Sequence, residues 1–366
     1  MKAKTINKEI TKNVNLWLAS LPEELKDRIK NKIVVTGGSI ASMFLQEPVN
    51  DYDMYFTDIK TAILVTQHYC QKWIEDNELA RINNKPFSTI RPVLRLSFNE
   101  DGSENSIPEK LSTLFDKDTS KCFNNTSKIV VDPYDIGLDT LLEVKSKWSQ
   151  VCRVEIFIKS SGFLGDNPDE DSEDVQISFT EGEEIEGQYD VTQVIEEENT
   201  YSKRDQGKYE TVFMSANAIT LTDKIQLVIR FFGEPSEIHD TYDFIHATNY
   251  WTSKSGLHTN TKALEALLSR ELVYSGSKYP LASIFRTRKF IMRDWNCHVG
   301  NYVKMAMQLN EFDLCDPVVL EEQLTGVDAA YLHQIIRAIK DKRKDDKNFQ
   351  FNAAYICELA DRLMGV

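Results

Sequence analysis

The stretch that decides the fold runs from Thr36-Gly37-Gly38-Ser39 to Asp51-Tyr52-Asp53, with the first aspartate fourteen residues after the first glycine. An apolar run over residues 32–36 precedes the glycines and predicts a buried strand, and apolar residues at helical spacing follow them. Two glycines after a strand let the backbone approach a ligand closely, and a helix that begins there directs free N–H groups at an anion. The pattern therefore predicts strand, glycine turn, short helix and second strand, with Gly37, Gly38 and Ser39 at a phosphate site.

The two aspartates form a carboxylate pair. Because side chains alternate along a strand, Asp51 and Asp53 project from one face, while Tyr52, Met54 and Phe56 project from the other. Adjacent carboxylates repel each other unless a cation lies between them, and oxygen ligands of this kind suit Mg²⁺. Two ions about 3.5–4 Å apart are a common device for phosphoryl or nucleotidyl transfer. The pair therefore predicts a metal site.

Composition is that of an ordinary globular protein. The chain has 366 residues, 41% of them hydrophobic, with 43 basic and 57 acidic residues and a net charge of −14. These values exclude the disordered and collagen-like classes, and no uncharged apolar run approaches the roughly 20 residues that span a bilayer. The N-terminal residues lack the apolar core of a secretory signal, so we expect a cytoplasmic protein without membrane contact. Six dispersed cysteines without a C-x-x-C pair predict buried thiols.

Charge is unevenly distributed along the chain. The segment Gly165–Asn199 holds fourteen acidic and no basic residues, whereas Lys262–Lys304 holds eight basic and three acidic ones. Three interpretations of the acidic segment are open: a solvated insertion, a nucleic-acid mimic that binds a basic protein partner, or a gate. The basic stretch is either a solvated face or a contact with the phosphates of a nucleotide or a polynucleotide end.

Periodicity divides the chain into an α/β head and a helical tail. Two helices broken at Leu21-Pro22 precede the first strand, and residues 58–75 predict another helix. Later strands are predicted at 91–98 and 153–159, and an antiparallel meander at 218–221, 225–232 and 242–251. Further helices are predicted at 261–273, 281–295, 297–309, 317–323, 327–341 and 349–364. We therefore expect an α+β fold: a head with a mixed sheet over 1–255, interrupted by a polar and acidic insertion around 100–215, and an all-helical domain over 256–366.

The glycine turn and the carboxylate pair together resemble the signature of the polymerase-beta nucleotidyltransferase superfamily. Their spacing is similar to the head motif of CCA-adding enzymes and bacterial poly(A) polymerases. One departure is clear, because Ala41 and Ser42 replace the Arg-Asp pair that CCA-adding enzymes carry in the short helix. Over its whole length the chain also resembles uncharacterised nucleotidyltransferase-like proteins of tailed bacteriophages, through the head motif and the stretches Ala218–Leu221, Tyr242–Trp251 and Lys278–Arg293.

The resemblance implies a third acid on a later strand, which completes the metal site and accepts the proton of the attacking hydroxyl. Asp243 is the first candidate because it lies in an otherwise apolar run, where an unpaired carboxylate is costly to bury. Asp240 is the second candidate. The structural alternative is that Asp243 is buried and caps a neighbouring turn.

Residues 283–295 predict an amphipathic helix, on which Arg286, Lys289 and Arg293 line a stripe beside the apolar one. A solvated basic face is one interpretation. The run also resembles the Arg-x-x-Arg-Phe helix that follows the catalytic domain of CCA-adding enzymes, which implies that the three residues bind the nucleotide. Aligned on Phe290, Lys289 takes the place of an arginine, and lysine keeps the charge but lacks the planar fork.

The resemblance thus implies a metal-dependent nucleotidyltransferase. Asp51, Asp53 and Asp243 would hold two Mg²⁺ or Mn²⁺ ions, and a nucleoside monophosphate would pass from a nucleoside triphosphate to an acceptor hydroxyl with release of pyrophosphate. An RNA 3′ end, tRNA-like, is the first expected acceptor, and a protein side chain or a small molecule is the second. A third interpretation is a former enzyme kept as a non-catalytic, phage- or virion-associated binding protein. A phage-encoded chain of this kind would act in the host cytoplasm.

Overall fold

The structure is a computed structural model, and it describes residues 1–77, 89–99, 122–123, 126–131, 152–159, 208–214 and 217–314, with Val319 and Gln323. The acidic segment, most of the predicted insertion and the helices predicted at 327–341 and 349–364 lie outside these residues. The described residues form two compact units. Unit 1 contains those up to His239 together with Asn249–His258, and unit 2 contains Asp240–Thr248 and those from Thr259 onward. Within the described ranges, no helix is long and apolar enough to cross a membrane.

Two helices open unit 1, as the sequence predicted: α1 (Ala3–Ala19) and α2 (Glu23–Ile29), with Pro22 at the N-cap of the second. The buried residues of α1 recur every three or four positions, which is the pattern of an amphipathic helix packed on a core. They are Ile6, Ile10, Val14, Trp17 and Leu18. The indole of Trp17 donates a 2.8 Å hydrogen bond to the hydroxyl of Tyr69.

The strands of unit 1 form two sheets. They are β1 (Ile33–Thr36), β2 (Tyr52–Phe56), β3 (Thr89–Asn99), β4 (Cys122–Phe123), β5 (Thr126–Val131), β6 (Cys152–Lys159), β7 (Thr211–Met214), β8 (Ala218–Leu221), β9 (Ile225–Phe232), β10 (Tyr250–Thr252) and β11 (Gly256–His258). The larger sheet has the order β11-β10-β1-β2-β9-β8-β7, and the smaller one the order β4-β5-β3-β6. Helix α3 (Gly38–Leu45) joins β1 to β2, α4 (Ile59–Asn77) follows β2, and α5 (Pro235–His239) follows β9.

The larger sheet is mixed, because β2 is antiparallel to β1 but parallel to β9. One of its faces is the hydrophobic core of unit 1, to which Ile33, Val35, Met54, Phe56 and Leu227 contribute together with the buried side of α1. The prediction that Tyr52, Met54 and Phe56 project together is confirmed, since all three belong to this core. Alternation along each strand then directs Thr36 and Asp53 to the other face of the sheet, where Val34 and Tyr55 are also buried.

Local patterns predicted most elements of unit 1, but residues 242–251 differ from the prediction. The strands expected at 91–98 and 153–159 are β3 and β6, which pair in antiparallel fashion. The meander is correct for β8 and β9. Residues 242–251 are not its third strand, since Ile245–Ala247 form a 3₁₀ turn and only Tyr250–Thr252 extend, pairing with β1. An apolar run of this length cannot by itself distinguish a strand from a buried turn.

Unit 2 contains α6 (Thr261–Ser269), α7 (Pro280–Ile291) and α8 (Val299–Leu309). Two short strands, β12 (Glu271–Leu272) and β13 (Asn296–Cys297), pair in parallel, so the expectation of an all-helical domain is wrong for the described part. The buried amide of Asn301 fastens α8 to β12. It donates to the carbonyl of Leu272 at 2.8 Å and accepts from the amide of Tyr274 at 3.1 Å.

Aromatic rings enclose His246 in unit 2. The centroid of its ring lies 4.6 Å from that of Trp295 and 4.7 Å from that of Phe290, and the residue is 3% exposed. Burial lowers the pKa of His246 to about 4, because the rings offer its charged form no solvation. The imidazole is therefore neutral at pH 7.

We expect the stability of the protein to fall as the pH is lowered from about 6.5 to about 4. The unfolded chain protonates His246 below about 6.5, whereas the native state resists protonation down to about 4, so up to about 3 kcal/mol is lost across this window. His246→Phe should remove this part of the pH dependence. Thermal unfolding of both proteins at a series of pH values measures the difference, and parallel pH curves would contradict the prediction.

Candidate functional site

The carboxylate pair lies at the N-terminal end of β2, with Asp53 on the face of the larger sheet opposite the core residues Tyr52 and Met54. Continuing the β1–β2 register by one residue places Asp53 opposite Thr36, the residue that directly precedes Gly37. Neighbouring strands lie about 4.8 Å apart, so the glycine turn and the aspartates meet at one end of adjacent strands. Asp51 directly precedes the first residue of β2. The predicted order of strand, glycine turn, short helix and second strand is thus reproduced by β1, Gly37, α3 and β2.

The glycine turn has the backbone that its sequence predicts. Gly37 is the N-cap of α3 with φ 97° and ψ −148°, a conformation that residues other than glycine rarely adopt. No side chain caps this helix start, so the amides of its first turn point out of the helix without an intrahelical partner. Ser39 is 3% exposed, and its hydroxyl makes no hydrogen bond to any described residue. A buried donor without a partner beside free amides suits a bound anion.

Alanine at the two glycines should separate folding from binding. Gly37→Ala is expected to destabilise the protein by about 1–3 kcal/mol, because its φ is positive. A Cβ at Gly38 would meet no atom within 4 Å, so Gly38→Ala should leave stability unchanged or raise it by about 0.5 kcal/mol. That methyl group would nevertheless occupy the space of an approaching phosphate. Thermal unfolding and ATP titration of both variants test this pair, and unchanged ATP affinity in Gly38→Ala would contradict the phosphate site.

The carboxylates of the aspartate pair repel each other. The pKa of Asp53 is raised well above its ordinary value, first by burial and then by the nearby charge of Asp51. A carboxylate that is partly buried beside another carboxylate is less stable in its charged form than a solvent-exposed carboxylate. A divalent cation between the two groups would instead stabilise the charged form of both carboxylates, because its own charge is positive.

The donor set fits a cation that is shared with a phosphate ligand. Among the described residues there is no group of three or more Asp, Glu, His or Cys side chains that could hold a metal. At the level of Asp53 the adjacent strand β9 carries Gln226, an amide and not a carboxylate. Mg²⁺ is commonly bound by one or two carboxylates, with phosphate oxygens and water filling the other positions. Asp51 and Asp53 would therefore hold the metal together with the phosphates of a nucleotide.

The sequence predicted neither Lys224 nor His239 as a neighbour of the site. The β2–β9 register extends to place Lys224 beside Asp51, and its ammonium donates to the carbonyl of Val49 at 2.8 Å. His239 Nε2 lies 2.9 Å from Thr36 Oγ1, and that hydroxyl donates its only proton to the carbonyl of Asn249. The imidazole is thus the donor to Thr36, and burial lowers its pKa to about 4. No local pattern predicts these neighbours, because pairing over about 170 and 200 residues creates them.

Asp243 lies in unit 2, in a bend and not on a strand as predicted. Its carboxylate is 5% exposed, forms an ion pair with Arg286 and accepts a 3.1 Å hydrogen bond from Ser277 Oγ. The carboxylate is therefore buried, as in the structural alternative of a turn-capping aspartate, and it contacts Arg286 and Ser277. The metal and proton-accepting roles of Asp243 stay predictions.

The basic helix is α7, close to the predicted bounds. Arg286 faces inward to Asp243, whereas Lys289 on α7 and Arg293 just after it are exposed. The three basic side chains therefore do not share one environment. That they bind a nucleotide stays a prediction.

Comparison with known proteins identifies a family and corrects the resemblance. Residues 8–270, well over half of the chain, match the model of the family described as Gad2, Gabija anti-defense 2 family protein. No curated protein and no solved structure matches the chain. The expectation of a polymerase-beta superfamily member is wrong, because the family that matches is Gad2. A glycine turn and an Asp-x-Asp strand are short motifs, which any antiparallel strand pair joined by a short helix can carry.

Proposed function

Because the chain belongs to the Gabija anti-defense 2 family, we propose that it acts against the Gabija defence in the cytoplasm of a phage-infected host cell. We further propose that it does so as an enzyme with a metal-dependent nucleotidyl transfer activity. The observation that carries this proposal is the meeting of the Asp51–Asp53 pair with the uncapped start of α3 at one end of β1 and β2.

Each group has a distinct role in this proposal. The amides of Gly38 and Ser39 and the Ser39 hydroxyl would bind the triphosphate, and Asp51 and Asp53 would hold two Mg²⁺ or Mn²⁺ ions. When bound, the ions would neutralise the charge of the triphosphate. An acceptor hydroxyl would lose its proton to water and attack the α-phosphorus, and the bond to the bridging oxygen would break as pyrophosphate leaves. The chain's contribution is chiefly positioning and charge compensation.

The proposed transfer has two candidate acceptors. An RNA 3′ end is the acceptor that the sequence predicted. Membership of an anti-defence family favours a second acceptor, a side-chain hydroxyl of a Gabija protein, because modifying that protein would inactivate it directly.

A non-catalytic role is the second candidate function. Gln226 favours it, since this amide lies next to Asp53 where a further carboxylate could complete a metal site. In this role the chain would bind a nucleotide or a protein of the defence without turnover.

The test is a transfer assay with labelled nucleoside triphosphates. Wild type and an Asp51→Ala/Asp53→Ala variant would be incubated with each triphosphate, Mg²⁺ or Mn²⁺, total RNA and purified Gabija proteins, and the RNA and protein pools resolved on gels. Plating of phage on Gabija-expressing cells that produce each protein gives the matching biological readout.

The outcomes discriminate between the two candidate functions. Label that requires both the triphosphate and the aspartates supports the enzyme, and the labelled pool names the acceptor. Full anti-defence activity of the double variant, with no label from either protein, would contradict the enzyme and favour the binding role.

A further inference from the structure

The short turn Thr222–Lys224, which joins β8 to β9, has an uncommon backbone. Asp223 and Lys224 have positive φ angles of 61° and 62°, and neither residue is glycine. A residue with a Cβ adopts the left-handed region at a cost in free energy, and this turn does so twice in succession. Backbone strain that the surrounding structure maintains is concentrated at binding and catalytic sites. The turn is therefore a candidate for a functional role.

The turn places the ammonium of Lys224 close to the carboxylate pair. Ile225, the first residue of β9, pairs with Tyr52, the first residue of β2. Lys224 therefore lies beside Asp51, one position before the two strands. Its Nζ donates to the carbonyl of Val49 at 2.8 Å. Since two residues span at most about 7 Å, this contact keeps the ammonium within about 10 Å of the Asp51 backbone.

Positive charge is missing from the segment that forms the site. Residues 36–56, from the end of β1 to the end of β2, contain no lysine or arginine but three acidic residues, Glu47, Asp51 and Asp53. In the proposed function a triphosphate with several negative charges lies beside these carboxylates. A fixed cation from elsewhere in the chain would stabilise the bound phosphates, and lysine is a common phosphate ligand. The pairing of β9 with β2 brings Lys224 to this position.

The contact with Val49 does not account for a lysine at this position. Glycine would form the turn without strain, and a carbonyl accepts a hydrogen bond from any donor, water included. Lys224 is exposed, so its ammonium is accessible to a ligand. The flexible stem of lysine allows the ammonium to exchange a neutral carbonyl for a phosphate oxygen, and the opposite charges make the second contact the stronger one.

We propose that Lys224 binds the phosphates of the triphosphate substrate, and that the strained turn holds its ammonium beside the carboxylate pair for this contact. The residue supplies the positive charge that residues 36–56 lack. This inference rests on the proposed function, because it takes the same triphosphate site as its premise. It requires binding of the triphosphate but no transfer.

The experiment measures the affinity of the full-length protein for inorganic tripolyphosphate with Mg²⁺, by calorimetry at about 50 and about 300 mM NaCl. Lys224→Met removes the charge, Lys224→Arg keeps it, and Asp223→Gly is the control at the neighbouring strained residue. We expect at least about tenfold weaker binding in Lys224→Met, because a hydrogen bond between charged groups is lost. Lys224→Arg should stay within about threefold of wild type, and Asp223→Gly should bind no more weakly than wild type.

Salt dependence separates a phosphate contact from a structural role. Losing a charge contact should make binding by Lys224→Met less sensitive to NaCl than binding by wild type. Unchanged salt sensitivity, or an equal loss of affinity in Lys224→Arg, would assign Lys224 to the fold of the turn and overturn the inference. If Lys224→Met does not fold, Lys224→Gly provides the same measurement, because glycine accepts the positive φ.

Failure of this inference differs from failure of the proposed function. Equal tripolyphosphate affinity in wild type and Lys224→Met would overturn the inference alone. Binding that depends on Lys224, without label in the transfer assay, would support the inference and contradict the enzyme. A wild-type protein that does not bind tripolyphosphate would overturn both.

Discussion

Asp53→Asn should make the metal-free protein more stable and the metal-supplied protein inactive. The substitution removes a partly buried charge that lies beside Asp51, so the free energy of unfolding without metal should rise by about 1 kcal/mol, or about 1 °C in Tm. Mg²⁺ should then no longer raise the Tm. Transfer of label should fall about 1,000-fold, because a metal contributes several kcal/mol to such a reaction.

The pH dependence gives this prediction a definite sign. Asp53 has a native pKa above its unfolded value, so its contribution to stability is present at low pH and is lost as the pH rises through the native pKa. Asp53→Asn should remove that loss. Asp294→Asn, at an exposed aspartate, is the matched control and should change neither Tm nor transfer. A metal-free Asp53→Asn protein less stable than wild type would contradict the repulsion.

Arg286→Met should destabilise the protein by about 3 kcal/mol. Asp243 is 5% exposed, and removing Arg286 leaves its carboxylate buried with Ser277 as a remaining hydrogen-bond partner. Breaking a buried pair from one side costs more than the pair itself contributes. Asp243→Asn/Arg286→Met should therefore recover most of the loss, which chemical denaturation of the three proteins measures.

The same variants decide the role of Asp243. If its carboxylate holds only the fold of unit 2, transfer activity should return together with stability in the double variant. If it also binds metal, or if Arg286 binds the nucleotide as predicted, transfer stays lost after stability has recovered. Lys289→Met, an exposed position on the same helix, is the control and should stay within about 0.5 kcal/mol of wild type. A stable Arg286→Met single variant would contradict the buried ion pair.

Much of unit 1 could be predicted because its signals are local. Leu21-Pro22 separates two helices, an apolar run forms β1, and Gly37 adopts a backbone open to few other residues. The prediction of a strand over 242–251 is wrong for a physical reason. Phe244 and His246 are buried in an aromatic cluster with Phe290, and burial alone gives a turn the composition of a strand.

Only those parts of the site that lie close together in the sequence could be predicted. The glycine turn and the aspartates are fourteen residues apart, and one strand pair brings them together. The residues beside that strand pair come from strands that are distant in the sequence. Lys224 and Gln226 come from β9, and the sequence alone placed Asp243 on a strand where the structure has a paired carboxylate in unit 2.

The wrong prediction of a polymerase-beta superfamily member has a related cause. Ala41 and Ser42, in place of the Arg-Asp pair, already departed from the resemblance, but the spacing of the glycines and aspartates outweighed them. Spacing of this kind reports how two strands and a short helix are joined. It does not report ancestry, which the match over residues 8–270 assigns to Gad2.

The most direct test of the account is whether the carboxylate pair binds a divalent cation. Mn²⁺ would be titrated into wild type and Asp51→Asn/Asp53→Asn with a non-hydrolysable ATP analogue, and free Mn²⁺ measured by electron paramagnetic resonance. We predict saturable uptake of about two ions by wild type and its loss in the variant. Equal Mn²⁺ uptake by the two proteins would contradict the metal site and the chemistry built on it.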